Sequence, residues 1–405
     1  MATILLLIIY LAFISLGLPD SLLGSAWPIM RANLDAPFGM AGVLSMTVTV
    51  GTIVSSLLSG AVVRKFGTGA VTLISCIMTA GALAGFSYAP SILWLIVCAI
   101  PLGLGGGAVD AGLNHYVAER YKAHHMSWLH CFWGVGATAG PMIMAAFLSG
   151  DSSWRDGYLT VAGIQFALVI VLFVTLPLWK SRSVNQGAVL DAEQTETEMS
   201  LGNEGLPKMR MSGVTYALAS FLFYCGVEIT VGLWGSSYLV KERGLLADQA
   251  AQWVAIYFAG ITIGRLITGF ITFKLSNRLL IRGGQATALA GALLLLLPLP
   301  TGFSLAGLLI MGLGLAPIYP CMLHETPARF GKEQAGRIMG YQMAVAYTGS
   351  TLMPPLLGLL AGFAGIGIFP LYIVLSAGAM LLCSERLNVL LNKRKERASE
   401  IGVPL

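Results

Sequence analysis

Charge is what this chain of 405 residues has least of: Asp, Glu, Lys and Arg make up 11% of it, where soluble domains carry about 25%. Such a composition excludes an ordinary water-soluble enzyme or binding domain. The six cysteines, Cys76, Cys98, Cys131, Cys225, Cys321 and Cys383, fall within or beside apolar stretches and show no paired spacing. They offer neither a disulfide framework nor a metal site and read as small core residues. No glycine-rich loop ends in Lys-Ser or Lys-Thr, so the usual phosphate cradle is missing. Only three acids stand deep inside apolar stretches, too few for an oxygen-rich cation cage. Neither enzyme activity nor a cofactor nor a resident metal is expected.

What fills the chain is apolar: 56% of it is hydrophobic and the mean hydropathy is +0.78. A helix of roughly 20 apolar residues crosses a bilayer core of about 30 Å. Stretches of that length lie near 4–30, 39–63, 69–88, 91–117, 127–149, 157–179, 211–240, 249–273, 280–298, 302–323, 335–362 and 364–390. The opening stretch lacks a basic flank and a small-x-small cleavage site, and it is counted as the first span. An all-α membrane protein of twelve spans is expected.

The twelve divide into two copies of six. An offset of 209 positions sets Leu102-Gly103-Leu104-Gly105 on Met311-Gly312-Leu313-Gly314, His115 on His324 and Arg120 on Arg329. Gly51, Gly60 and Lys65 fall on Gly260, Gly269 and Lys274, and a slip of one residue sets Asp20 on Glu228 and Gly24 on Gly232. Repeated bundles of apolar helices mark secondary transporters, which bind their solute between the repeats near the bilayer midplane. The expected organisation is a first bundle over 1–182, a linker over 183–207, and a second bundle over 208–405 with a short basic tail. The linker holds Asp191, Glu193, Glu196, Glu198 and Glu204 among small polar residues and has too little apolar surface to pack.

Lys and Arg set the orientation. Nineteen fall in the loops that share a side with the termini and the linker, and four, Arg31, Arg155, Lys241 and Arg243, on the other side. The positive-inside rule therefore expects both termini in the cytoplasm. The net charge of +5 is this topology signal plus attraction to anionic lipid, and it needs no nucleic-acid partner.

Six plus six spans around a polar linker resemble the major facilitator superfamily over essentially the whole chain. That family's signature between its second and third helices is Gly-x-x-x-Asp-Arg-x-Gly-Arg-Arg; here the loop reads Gly60-Ala61-Val62-Val63-Arg64-Lys65-Phe66-Gly67-Thr68-Gly69. The glycines and a basic residue remain, but Arg64 replaces the acid of the family's charge relay. The eighth span carries Gly264-Arg265-Leu266, similar to a Gly-Arg pair common there. The chain further resembles the fucose–galactose–gluconate proton-symporter group. The likeness rests on Asp20, on Gly103 to Asn114 with Asp110 inside it, and on Tyr224-Cys225-Gly226-Val227-Glu228 with Gly232. The resemblance implies a transporter of a small polar solute, first of all a sugar, working by alternating access coupled to protons. The expected setting is a monomer in a bacterial inner membrane. Three rivals stay open: a sodium-coupled sugar transporter, an exporter of amphipathic compounds, drugs or lipids, and a transport-dead receptor or scaffold.

Physics singles out much the same residues. A carboxylate at the bilayer centre costs a few kcal/mol, so it faces a cavity, is paired, or is protonated part of the time. Burial disfavours the charged form of a carboxyl group, a property that suits proton coupling near neutral pH. Asp20 follows Gly17-Leu18-Pro19, a step that loosens a helix; it reads as a proton-coupling site or a structural cap. Asp110 and Asn114 share a helix face and read as a solute-binding pair, with Asp110 also a proton-coupling candidate, or as a packing seam. Glu228 reads as a proton or solute residue, or simply as the counter-charge of Arg265, the one base deep in a span. Among the aromatics, Trp133, Tyr224 and Trp234 are chosen as cavity members because they neighbour polar positions, and Gln342 joins them as a hydroxyl partner. His124 and His125 are expected in a solvated loop, His130 as an interfacial side chain or proton relay, and His115 and His324 as helix caps or gates.

Shortening 183–207 by several residues is predicted to leave transport largely intact, while a protease should cut the native, detergent-solubilised protein there first. Resistance of the folded protein to that cut contradicts the unpacked linker.

Overall fold

A computed structural model describes residues 2–121, 123–150, 152–180, 212–272 and 274–400. The linker over 183–207 lies outside the described residues. Among these residues there is no strand, and twelve helices are long and apolar enough to cross a membrane. They are α1 Ile4–Asn33, α2 Met40–Phe66, α3 Thr68–Ser87, α4 Ile92–Val117, α5 Trp128–Leu148, α6 Trp154–Trp179, α7 Gly213–Arg243, α8 Ala247–Ile271, α9 Asn277–Leu296, α10 Gly302–Phe330, α11 Gln334–Ala364 and α12 Ile366–Lys393. Several run a turn or more past their apolar stretch. Hydropathy marks only the part immersed in hydrocarbon, and polar last turns such as Pro327–Phe330 of α10 continue the helix beyond it.

Local signals fix some of the ends. Ser91 and Ser276 cap their helices by accepting from the amides of Trp94 and Leu279. Gly67 takes φ 80°, a left-handed value open to glycine, which lets α2 end and α3 begin across a single residue. That turn accounts for the second glycine of the signature loop.

The two halves pack alike. In the first, α2 lies on α4, α3 on α4 and α6, and α1 on α5 and α6; in the second, α8 lies on α10, α9 on α10 and α12, and α7 on α11 and α12. The repeated glycines are the points of closest approach. A side chain on Gly51 would meet Gly103, and one on Gly103 the Val48 carbonyl; at the matching crossing, Gly260 meets Gly312 and Gly312 the Tyr257 carbonyl. Without hydrophobic exclusion between helices in lipid, close backbone approach at small residues is what holds such pairs.

The contacts between halves follow the same symmetry: α5 on α8, α2 on α11, and α1 on α7. Several gather toward the face opposite the termini. There Gly24 of α1 abuts Gly232 of α7, Gly39 abuts Gly358, and Gly42 abuts Pro355 of α11. Phe38, in the connection after α1, stacks on Trp234 with ring centroids 4.8 Å apart, and the cations of Arg31 and Lys241 stand 5.5 and 5.0 Å from its ring. The Trp27 indole donates to the Phe38 carbonyl at 3.2 Å. This aromatic plug joins the halves at one end and leaves a cavity between them deeper down.

Gly103→Ala and Gly312→Ala are each predicted to lower stability by about 1–3 kcal/mol through overpacking of the two crossings. Gly81→Ala, where an added carbon meets nothing within 4 Å, should be neutral or slightly stabilising through helix propensity. Thermal unfolding in detergent reads all three, and an equal loss at Gly81 contradicts the assignment.

Candidate functional site

A cavity of about 270 Å³ lies between the halves, with α1 to α6 on one side and α7, α8 and α11 on the other. Helix α1 is interrupted at Ser21, beside Asp20 and just beyond Pro19, whose missing N–H weakens the ladder there. The Ser21 hydroxyl turns instead to the Ala137 carbonyl of α5 at 2.8 Å. Gly17 and Gly136 let α1 and α5 touch, each facing a backbone carbonyl of the other helix. The break and the close crossing present the Asp20 carboxylate to the cavity, where it is exposed.

Trp133 of α5 lies at the centre of the charged groups. Its indole N–H donates to Asp20 Oδ2 at 2.9 Å, while the guanidinium of Arg265 in α8 stands 5.2 Å from its ring centroid. Arg265 Nη2 donates to Glu228 Oε1 of α7 at 3.1 Å and approaches the Tyr224 hydroxyl at 3.5 Å. The result is a line of acid, indole, base and acid that crosses from one half to the other. Gly134 abuts Thr262 between α5 and α8, which brings the ring within reach of the guanidinium. The Arg265 and Glu228 side chains are only 16% and 9% exposed, so neither charge is well hydrated without the other.

The remaining sequence candidates scatter. Asn114 Nδ2 donates to Asp110 Oδ1 at 2.9 Å, so the pair on α4 closes on itself; the cavity wall is formed by its neighbours Gly106 and Val109. Of the glycine run, Gly103 and Gly107 serve α2 and Gly105 serves α3, and Gly106 faces the cavity. Tyr224 is fully buried beside Arg265 and packs on Phe221 and Tyr319. Trp234, expected in the cavity, is not on its wall: it is fully buried in the plug and its indole donates to the Pro354 carbonyl at 2.9 Å. Gln342 is likewise taken up by packing, accepting from the Thr326 hydroxyl of α10 at 2.9 Å. His125, expected in a solvated loop, lies in the helix that begins at Ala123, and its Nδ1 meets the Tyr10 hydroxyl at 2.8 Å. His130 packs edge-on to Phe13, and His324 hydrogen-bonds Asn277.

Residues that sequence reasoning passed over complete the cavity wall. Gln165 of α6 is 1% exposed, accepts from the Thr79 hydroxyl of α3 and donates to the Ser15 carbonyl of α1, both at 2.7 Å. It is the one side-chain amide in the span 157–179, a signal that was present in the sequence. Tyr158 and Phe258, passed over as well, also line the cavity, as does Tyr347 of α11.

The sequence profile of the Major Facilitator Superfamily matches residues 9–354 and, again, 216–402. The cis,cis-muconate transport protein of Acinetobacter baylyi is 23% identical over 369 residues, spanning 89% of this chain and 87% of its own. The glucose/mannose transporter GlcP of Bacillus subtilis is 22% identical over 330 residues, spanning 78% and 77%. In fold, the crystal structure of a D-xylose-proton symporter superposes with a TM-score of 0.74 at 15% identity, covering 95% of this chain and 96% of that one.

Glu228→Gln and Arg265→Gln are each predicted to cost about 3 kcal/mol, because each strands a poorly hydrated charge, and the double variant to regain most of that loss. Transport should stay impaired in the double variant, since the carboxylate at Glu228 is still absent. Wild-type transport by the double variant would reduce Glu228 to a counter-charge.

Proposed function

The chain belongs to the major facilitator superfamily, a multi-pass membrane transporter and not an enzyme, and on that premise we propose that it carries a small polar solute by alternating access coupled to protons, with a sugar as the leading candidate. The observation that carries this reading is the line Asp20, Trp133, Arg265, Glu228 at the cavity between the halves. Arg265 neutralises Glu228, which leaves Asp20 as the carboxylate facing the cavity with an indole as its partner. An acid that loses and regains a proton there changes the charge at the meeting point of both halves. Such a change biases one closed arrangement over the other, which is what coupling requires.

With both termini in the cytoplasm, the Phe38–Trp234 plug closes the outer side. The solute would then enter or leave from within, and the two bundles rock about the site on either side of the 183–207 linker. The cavity's volume, about 270 Å³, falls at the small end of ligand sites and favours a small solute over a large amphipathic one. Similar proteins carry glucose or mannose and, in a symporter, D-xylose, according to their names. An organic acid is the second reading. A muconate transport protein is among the relatives, and Arg265 makes its hydrogen bonds to Glu228 and Tyr224 through Nη2 alone among those described.

Asp20→Asn is predicted to abolish gradient-driven accumulation in proteoliposomes while preserving solute counterflow, because the amide keeps the shape and loses the titrating proton. Asp110→Asn tests the second acid in the same way. Full accumulation by both variants excludes proton coupling at these sites.

A further inference from the structure

The cavity walls differ in chemistry, and the difference bears on which half reads the solute. From the first half come Asp20, Trp133, Gln165, Tyr158 and a set of Ser and Thr hydroxyls among apolar side chains such as Leu16 and Val109; the second half contributes Ile229, Gly232, Leu233 and Phe258, with Tyr347 and Ser350 as its polar groups. The Tyr158 hydroxyl is buried and has no hydrogen-bond partner among the described residues, although its ring is fixed by Phe86 at 5.3 Å and by the edge of Trp154 at 6.0 Å. A buried hydroxyl left unpaired is destabilising, so a partner arriving through the cavity gains a hydrogen bond that the protein alone does not supply. Gln165, one face of α6 along and two turns deeper, uses one amide hydrogen and one lone pair on Ser15 and Thr79. A primary amide has two of each, so one donor and one acceptor are left to offer.

We propose that Tyr158 and Gln165 form a specificity subsite in the first half that reads hydroxyl groups along one edge of a ring-shaped polyol, while the second half supplies an apolar wall for the ring's carbon face. The proposal rests on the small-solute reading above and adds which residues distinguish one solute from another. Coupling and recognition are thereby separated in space. Asp20 carries the proton, and the α3–α6 side of the cavity selects the cargo. A site built to pair buried polar groups rejects an analogue that lacks the matching hydroxyl far more strongly than an apolar pocket rejects a missing methylene.

The test is binding of monosaccharides and their single-deoxy analogues to the full-length protein in detergent, read by tryptophan fluorescence or thermal shift. Tyr158→Phe, which removes one oxygen and keeps the ring, should weaken the preferred sugar by on the order of tenfold. It should also erase the discrimination against one particular deoxy analogue, because the two deletions remove the same hydrogen bond and do not add. Gln165→Met, similar in volume and apolar, should do the same for a different position on the ring. If the wild type binds a sugar and both variants keep its affinity and its ranking of analogues, the subsite is overturned and the solute reading stands. A wild type that binds no sugar in the panel overturns the reading beneath it.

Discussion

A guanidinium inside a bilayer has to be neutralised, and much of the arrangement around the cavity follows from that requirement. Arg265 meets Glu228 at 3.1 Å and lays its charge over the Trp133 ring. Because the carboxylate comes from α7 and the indole from α5, the ion pair ties a contact within the second half to a contact between halves. Trp133 has then spent its face on the cation and its N–H on Asp20. Asp20 is thus hydrogen-bonded to a group already engaged with the other half, which on the proposed reading is a short physical path from protonation to rearrangement.

The second constraint is distance. Helices in lipid gain nothing from excluding water from each other, so they associate where side chains are small enough to let backbones meet. The α2–α4 and α8–α10 crossings use glycines at matching positions of the repeat, Gly51 with Gly103 and Gly260 with Gly312. On the proposed reading, pairs of this kind let each half move as a body. The plug of Phe38 and Trp234 is a different sort of contact, made of rings and flanking cations at one face.

The spans, their number and their repeat were legible because a bilayer demands long apolar helices and because duplicated bundles keep their crossings. The nearness of Glu228 to Arg265 was legible for an electrostatic reason, and that of Asp110 to Asn114 from their spacing along one helix. Less legible was which way each helix faces. In water an apolar stripe points to the core, but here lipid-facing and core-facing sides are both apolar, so periodicity gives no direction. That is why Trp234 and Gln342 read as cavity residues although packing uses both, and why Trp133, which does line the cavity, gave no hint of joining Asp20 to Arg265 across 113 and 132 positions of sequence. Gln165 is the lone amide of an apolar run and was passed over, because one buried amide is as often a helix fastener as a ligand group; its neighbours in α1 and α3 give it context.

Uptake into proteoliposomes under an imposed proton gradient, with sugars, short carboxylic acids and amphipathic dyes offered side by side, tests the central claim most directly. The account predicts that one small polar solute, a sugar first of all, accumulates only while the gradient lasts and is released when a protonophore collapses it. Accumulation that ignores the proton gradient and follows a sodium gradient, or movement of dyes with no small polar solute transported, would contradict it.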